Sequence, residues 1–264
     1  MDTALGWQRH SPPDLGCLPK GAADGTEHEV SNERRLRLLA DLGSSGDDVT
    51  AEPLCRLCQS ALHVDGAGIM LMVDHAVAGS LCTTDATSAR IDDLQLTLGE
   101  GPCIDAYESD APVLEPDLAS RSDRWVAFAP AAIDAGAAAV FGFPVRTGAA
   151  RVGALDLYRA HRGPLTADQH ADALVLAELA AQMILGMQAG LPPGDLAPEL
   201  QQGSALHHVV HQASGMVSIQ LDVTVADALV RLRAFSYSSR RPLLDVAHDV
   251  VERRVRFDVG GASE

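Results

Sequence analysis

The 264-residue chain is 47% hydrophobic and 21% charged with only 4% aromatic residues; this excludes wholesale disorder and leaves its cores to small aliphatic packing. One large or two modest domains fit this length. The net charge of −16 argues against nucleic-acid binding by the chain as a whole, because phosphates repel an acidic surface. The charge is uneven, however. Residues 1–199 hold 13 Lys+Arg against 29 Asp+Glu, giving −16, whereas residues 200–258 hold 7 against 6, giving +1. No apolar run approaches the roughly 18 residues of a membrane span, and no basic start leads into an apolar stretch. A cytoplasmic location without membrane contact is therefore expected. Five cysteines, an odd number, are expected as free thiols rather than a disulfide framework.

In chain order, residues 1–32 contain Ser11-Pro12-Pro13 and no period, and read as a mobile tail. Leu36, Leu39 and Ala40 predict a helix over Glu33–Leu42, stopped by Gly43-Ser44-Ser45-Gly46. Thr50 opens a second helix with Leu54, Leu57, Cys58, Ala61 and Leu62 on one face. Gly68–Val73 reads as a central strand, with Val77–Thr83 pairing to it across Asp74-His75. A helix near Ser88–Leu94 leads into the loop Leu98-Gly99-Glu100-Gly101-Pro102-Cys103 and a short helix through Ala106-Tyr107. Val113-Leu114 is a further strand. Ala138–Val145 and Val152–Tyr158, separated by Thr147-Gly148, predict an antiparallel hairpin at the sheet centre. Thr166 caps a helix to about Gln188, where Leu176, Ala180, Met183 and Met187 form a seam of period 3.5. With Leu174, Leu179 and Ile184 widening the apolar surface, this helix is expected to serve a homodimer as well as its own sheet. Gly190-Leu191-Pro192-Pro193-Gly194 marks a domain boundary.

Pro198 suits a helix start, and Leu206, Val209, Val210, Ala213, Met216 and Val217 give the next helix its apolar face. Gly215 in that face predicts a close backbone approach. Thr224 with Asp227 is a capping-box-like start for a helix burying Ala228, Leu229, Leu232 and Phe235. After the turn Ser238–Arg241, Pro242 begins a third helix with Leu243, Val246, Ala247, Val250 and Val251 inward. Arg253, Arg254 and Arg256 are placed in its last turn, where cations complement the helix dipole. Three one-sided helices in under about 60 residues require a bundle, marginal alone.

The expected fold class is α+β: a central antiparallel sheet flanked by helices over 33–190, a linker at 191–199, an all-α bundle over 200–257 and a tail at 258–264. The stretch Leu98–Tyr107, the Arg124-Trp125 element, Val140–Val145 and Gly153–Tyr158 resemble a GAF domain, and the likeness covers about residues 34–189. It implies a sensor for an unidentified small-molecule ligand or signal; no cofactor can be specified. Neither a cyclic-nucleotide Asn-Lys…Phe…Asp-Glu signature nor a bilin-linking Cys-His pair is present. Candidate pocket residues are Cys103, Trp125, Phe128 and Asp156; Trp125 and Phe128 have a plainer reading as core, and Asp156 as solvent-facing strand. Cys103 opens a short helix after a glycine turn, a setting that lowers a thiol pKa, and catalytic GAF proteins that reduce free methionine sulfoxide also carry a cysteine after a glycine-rich loop. The matching group of three cysteines is absent, so an enzyme is not expected. Cys55 and Cys58, at i and i+3 on a helix, read as small hydrophobes rather than metal ligands.

Gln212–Met216, Ala228-x-x-x-Leu232-Arg233 and Leu244–Ala247 resemble the ANTAR domain of bacterial antitermination regulators. An ANTAR domain joined to a GAF domain is a familiar arrangement in actinobacterial proteins. The resemblance implies binding of paired hairpin loops in a leader transcript, which prevents a terminator from forming. Candidate RNA contacts are Ser214, Arg233, Ser236, Arg240 and Arg241. Ser214 stands where the family often has a basic residue, a substitution that weakens phosphate attraction. Two further readings stand beside this one: a protein-interaction regulator that has lost RNA binding, and the thiol reductase.

Overall fold

The computed structural model describes residues 21–44, 51–73, 76–121, 124–189, 198–258 and 261–263. Period-two apolar runs form a five-stranded antiparallel sheet from β1 (Gly66–Val73), β2 (Ala76–Thr83), β3 (Val113–Glu115), β4 (Ala139–Thr147) and β5 (Ala150–Arg159). Its order is β2-β1-β5-β4-β3, so the expected hairpin of β4 and β5 does occupy the middle. Its turn begins after Thr147, which pairs with Ala150. The turn expected at Asp74-His75 lies outside the described residues.

One face of the sheet carries three helices, α1 (Gly21–Ser44), α2 (Ala51–Leu62) and, late in the chain, α6 (Ala167–Gln188). Leu38, Leu54, Cys58, Phe141, Phe143, Leu155, Leu176 and Ala180 are all within 1% of full burial there, forming a continuous apolar core. Thr166 accepts from the Gln169 amide, and the Gln169 side chain returns a bond to the Thr166 amide, a closed capping box. Asp172, buried on α6, receives Arg34 at 2.5 Å and Arg37 at 2.7 Å, which clasps α1 to α6.

Three expectations change on this face. The first helix begins at Gly21, inside the segment read as a tail, while residues 1–20 lie outside the described residues. Cys55 and Cys82 are not free thiols: they form a disulfide from α2 to β2, a long-range pairing that local spacing does not reveal. The seam residues Leu176 and Ala180 are fully buried in their own domain, with Met183 and Met187 partly buried beside them, the sheet packing expected of this helix. By length and hydropathy α6 also meets the requirement for a membrane span, contrary to the expectation that no apolar run is long enough. Half of that stretch is buried inside the protein, with its apolar side on β4 and α2, as in a core helix.

The opposite face holds α3 (Ala86–Leu98), α4 (Pro102–Ser109) and α5 (Phe128–Asp134). Asp85 caps α3 through a reciprocal bond pair with Ser88. Gly142 of β4 permits close packing here, because a Cβ would come within 2.4 Å of the Pro102 carbonyl oxygen at the start of α4.

The C-terminal bundle is α7 (Pro198–Leu221), α8 (Val225–Ser239) and α9 (Leu243–Val251). Ala213, Val217, Ala228, Leu232, Leu243, Val246, Ala247 and Val250 are fully buried at its centre, and Thr224 caps α8 by accepting from the Asp227 amide. The chain does not end there in a tail. β6 (Arg256–Asp258) pairs with β7 (Gly261–Ser263), and Phe257 packs edge-on against Phe235. Helix α9 stops at Val251, so Arg253 and Arg254 follow it and Arg256 lies in β6; no glycine or proline follows Val250 closely enough to signal that stop. Gly215 has nothing within 4 Å of the point where a Cβ would stand, so it serves no close approach. The bundle docks on its own neighbour: α7 lies along edge strand β2, and Met70, Met72, Val77 and Leu96 share one apolar cluster with the bundle core.

Candidate functional site

Between α3 and the sheet lies a buried polar cluster. Helix α3 buries Ile91, Leu94 and, at the same helical spacing, Gln95. The Gln95 amide nitrogen donates to Asp156 at 2.8 Å and its oxygen accepts the Cys103 N–H at 2.8 Å. Ser80 donates to Asp92 at 2.6 Å. Asp156 lies beside Asp92, whose charge disfavours its own, and Oδ1 of each is buried without a hydrogen-bond partner, a setting that disfavours ionisation of both carboxyls at once.

Burial, before any neighbour, raises the Asp92 carboxyl to about 7. Burial first and the adjacent Asp92 second push Asp156 well up as well. The pair therefore titrates as a unit. The Cys103 thiol, fully buried beside them, is raised well above its ordinary range, by burial first and then by Asp156 and Asp92. This corrects the expectation from its place at a helix start: desolvation and two acids outweigh the helix terminus.

The loop from α3 to α4 ties this cluster to the bundle. Glu100 accepts the backbone N–H groups of Ala127 and Phe128 at 2.8 and 3.0 Å, fixing the start of α5. Gly99 caps α3 at φ +71°, and a Cβ there would lie 2.4 Å from a guanidinium nitrogen of Arg233 on α8. Arg233 thus packs on the loop at Gly99, two residues from Gly101, which itself packs on Gln95. Its Nε is buried without a hydrogen-bond partner, and desolvation lowers its pKa.

The structure brings Cys103 and Asp156 together, but sets Trp125 and Phe128 apart. These two rings meet edge-on at 5.7 Å in an apolar cluster with Ile91, Leu118 and Val140, and the Trp125 N–H donates to Asp105 at 3.1 Å. Of the expected RNA contacts, Ser214 is buried and donates to the Val210 carbonyl at 2.7 Å, and Ser236 is buried and donates to the Arg241 carbonyl at 2.6 Å. Arg241 pairs with Asp249. Arg240 is exposed at the left-handed C-cap of α8. Together Arg240 and Arg241 edge a cavity of about 550 Å³ that Arg90, Thr97 and Asp134 close from the other domain. A second cavity, about 450 Å³, is lined by Asp92, Ser80 and Leu96.

Sequence reasoning missed Asp92, Gln95 and Gly99. Gln95 and Asp92 carried a signal, since polar residues falling on the buried period of α3 require buried partners. Gly99 lay in the recognised loop, but its contact with α8 is a tertiary fact.

The family model described as GAF domain matches residues 48–185, and that described as ANTAR domain matches residues 199–251. No curated protein matches the chain. Among solved structures, the GAF domain of an Acinetobacter phosphoenolpyruvate-protein phosphotransferase aligns at 12% identity, over 62% of this chain and 98% of its own, with a TM-score of 0.47. The corresponding domain from Coxiella burnetii aligns at 15%, over 60% and 96%, with a TM-score of 0.46. A type II free methionine-R-sulfoxide reductase from Thermoplasma acidophilum aligns at 16%, over 58% and 93%, with a TM-score of 0.41.

Proposed function

Since the chain belongs to the GAF domain family and carries an ANTAR domain after it, we propose that it is a signal-responsive RNA-binding regulator acting by antitermination on leader-transcript hairpins. The observation that carries this reading is the continuity of the two domains. Gln95 links the buried acid pair to the α3–α4 loop, and that loop carries Arg233 of α8. A signal that rearranges the loop changes how α8 is held, provided the signal binds the two arrangements with different affinity. Arg240, with Arg241 beside it, offers the exposed cationic edge for phosphates. Ser236 sets the turn that presents those arginines by donating to the Arg241 carbonyl, Ser214 acts within α7, and a homodimer would present two such edges to paired hairpins.

A protein-interaction regulator without RNA binding is the second reading, and the burial of the Ser214 hydroxyl favours it. A thiol reductase has less support, because a Cys103 thiol held protonated is a poor nucleophile. Crosslinking the protein to RNA in cells and sequencing what is bound decides between the first two. Enrichment of leader transcripts with tandem hairpins is expected. Recovery of no RNA above a crosslink-free control would instead establish the protein-interaction reading.

A further inference from the structure

Arg233 is the strangest charge in the molecule. Among the described residues it has no hydrogen bond and no ion pair, yet its Nε is buried. Its guanidinium is pressed on Gly99, where no side chain would fit. Arg233 is half-buried overall, but a guanidinium nitrogen buried without a partner is costly, and such groups are held by an acceptor or counter-charge. Beside it lies a cavity of about 160 Å³ between the two domains, walled by Met72, Val77, Ile104 and Leu229, with Glu108 as its one carboxylate. Glu108 is exposed and, among the described residues, makes no bond to Arg233.

We propose that this cavity is a binding site for a small oxyanion, a carboxylate or phosphate group, held by the Arg233 guanidinium and bridging the two domains. The planar fork of a guanidinium matches two oxygens of such a group. The apolar walls lower the local dielectric and strengthen the pair. The volume falls below the roughly 300–1,000 Å³ of sites for drug-sized ligands, which selects an anion of a few atoms over a nucleotide. Because Arg233 comes from α8 and Gly99 from the sensor domain, occupancy locks the two domains together. The inference does not rest on RNA binding, since a chain that binds no RNA would still take the anion.

Calorimetric titration of the full chain with acetate, formate and inorganic phosphate, at ionic strength fixed with chloride, tests it. At least one of the three is expected to bind saturably, with one site per chain. Arg233→Gln is expected to weaken that binding by at least about tenfold, the equivalent of one lost charge-assisted contact, and the surface variant Arg162→Gln to leave it unchanged. Should Arg233→Gln fail to fold, Glu108→Gln serves instead: removing the rim carboxylate is expected to tighten binding. No saturable binding by any of the three, or binding that survives in folded Arg233→Gln, overturns the proposal. Hairpin RNA that binds through Arg233 while all three anions fail would assign the residue to RNA and overturn it equally.

Discussion

The two faces of the central sheet solve opposite problems with the same strands. Toward α1, α2 and α6, Phe141, Phe143, Leu155 and Leu157 meet an uninterrupted apolar layer. Toward α3 and the C-terminal bundle, the alternate residue of β5 is Asp156, coupled to Asp92, Gln95 and Cys103. The first face gains stability by area removed from water. The second holds polar groups whose bonds have to be completed one by one, and that is the face on which the second domain rests. That face also carries apolar packing, with Trp125, Phe128 and Val140 in one cluster and Met70, Met72 and Leu96 against the bundle, and its polar groups are where small changes in charge or occupancy have structural consequences.

The largest expected effect lies on the apolar face. Phe143→Ala removes a fully buried ring and is expected to cost about 3–5 kcal/mol in denaturant unfolding; a loss below about 1 kcal/mol would contradict the division of labour. Gly99→Ala places a side chain against Arg233 in a left-handed backbone and is expected to cost roughly 1–3 kcal/mol. Faster hydrogen exchange in α8, with α6 unchanged, distinguishes loosening of the docking from general instability.

A third outcome concerns pH. Asp92 is raised to about 7 in the folded protein, against roughly 3.9 for an unperturbed aspartate. Between those values the folded state binds more protons than the unfolded state, so stability from this pair falls as pH rises, by up to about 1.4 kcal/mol per pH unit for one proton. Asp156→Asn, which removes one of the two coupled acids, is expected to flatten the stability profile between about pH 5 and pH 7; an unchanged slope would show that the pair does not carry it. The smallest effect is at the bundle. Thr224→Ala removes the cap of α8 and is expected to cost about 1 kcal/mol, read as a lowered melting temperature.

Much of this was legible in the residues, and the limits have physical causes. The order of strands, the Thr166 and Thr224 caps and the three inward faces of the bundle are local patterns, set by periods of about two and 3.6 residues. Cys103 and Asp156 read as polar candidates, while Asp92 and Gln95 share the buried period of α3, a signal that buried partners exist but not of which residues they are. The Cys55–Cys82 disulfide and the resting of Arg233 on Gly99 join segments far apart in sequence, and no local rule encodes such meetings. Ser214 shows the reverse case. Its position reads as a contact with RNA, while the structure gives its hydroxyl a partner one turn back on its own helix.

The central claim, that the second domain binds hairpin RNA through its exposed arginine edge, is tested most directly by filter binding of the full-length chain to a tandem-hairpin leader RNA across a range of salt concentrations. The account predicts affinity that falls as salt rises, and for Arg240→Ala weaker binding with a salt slope smaller by about one. A folded protein that binds no such RNA at any salt, or an Arg240→Ala variant with unchanged affinity and slope, would contradict it.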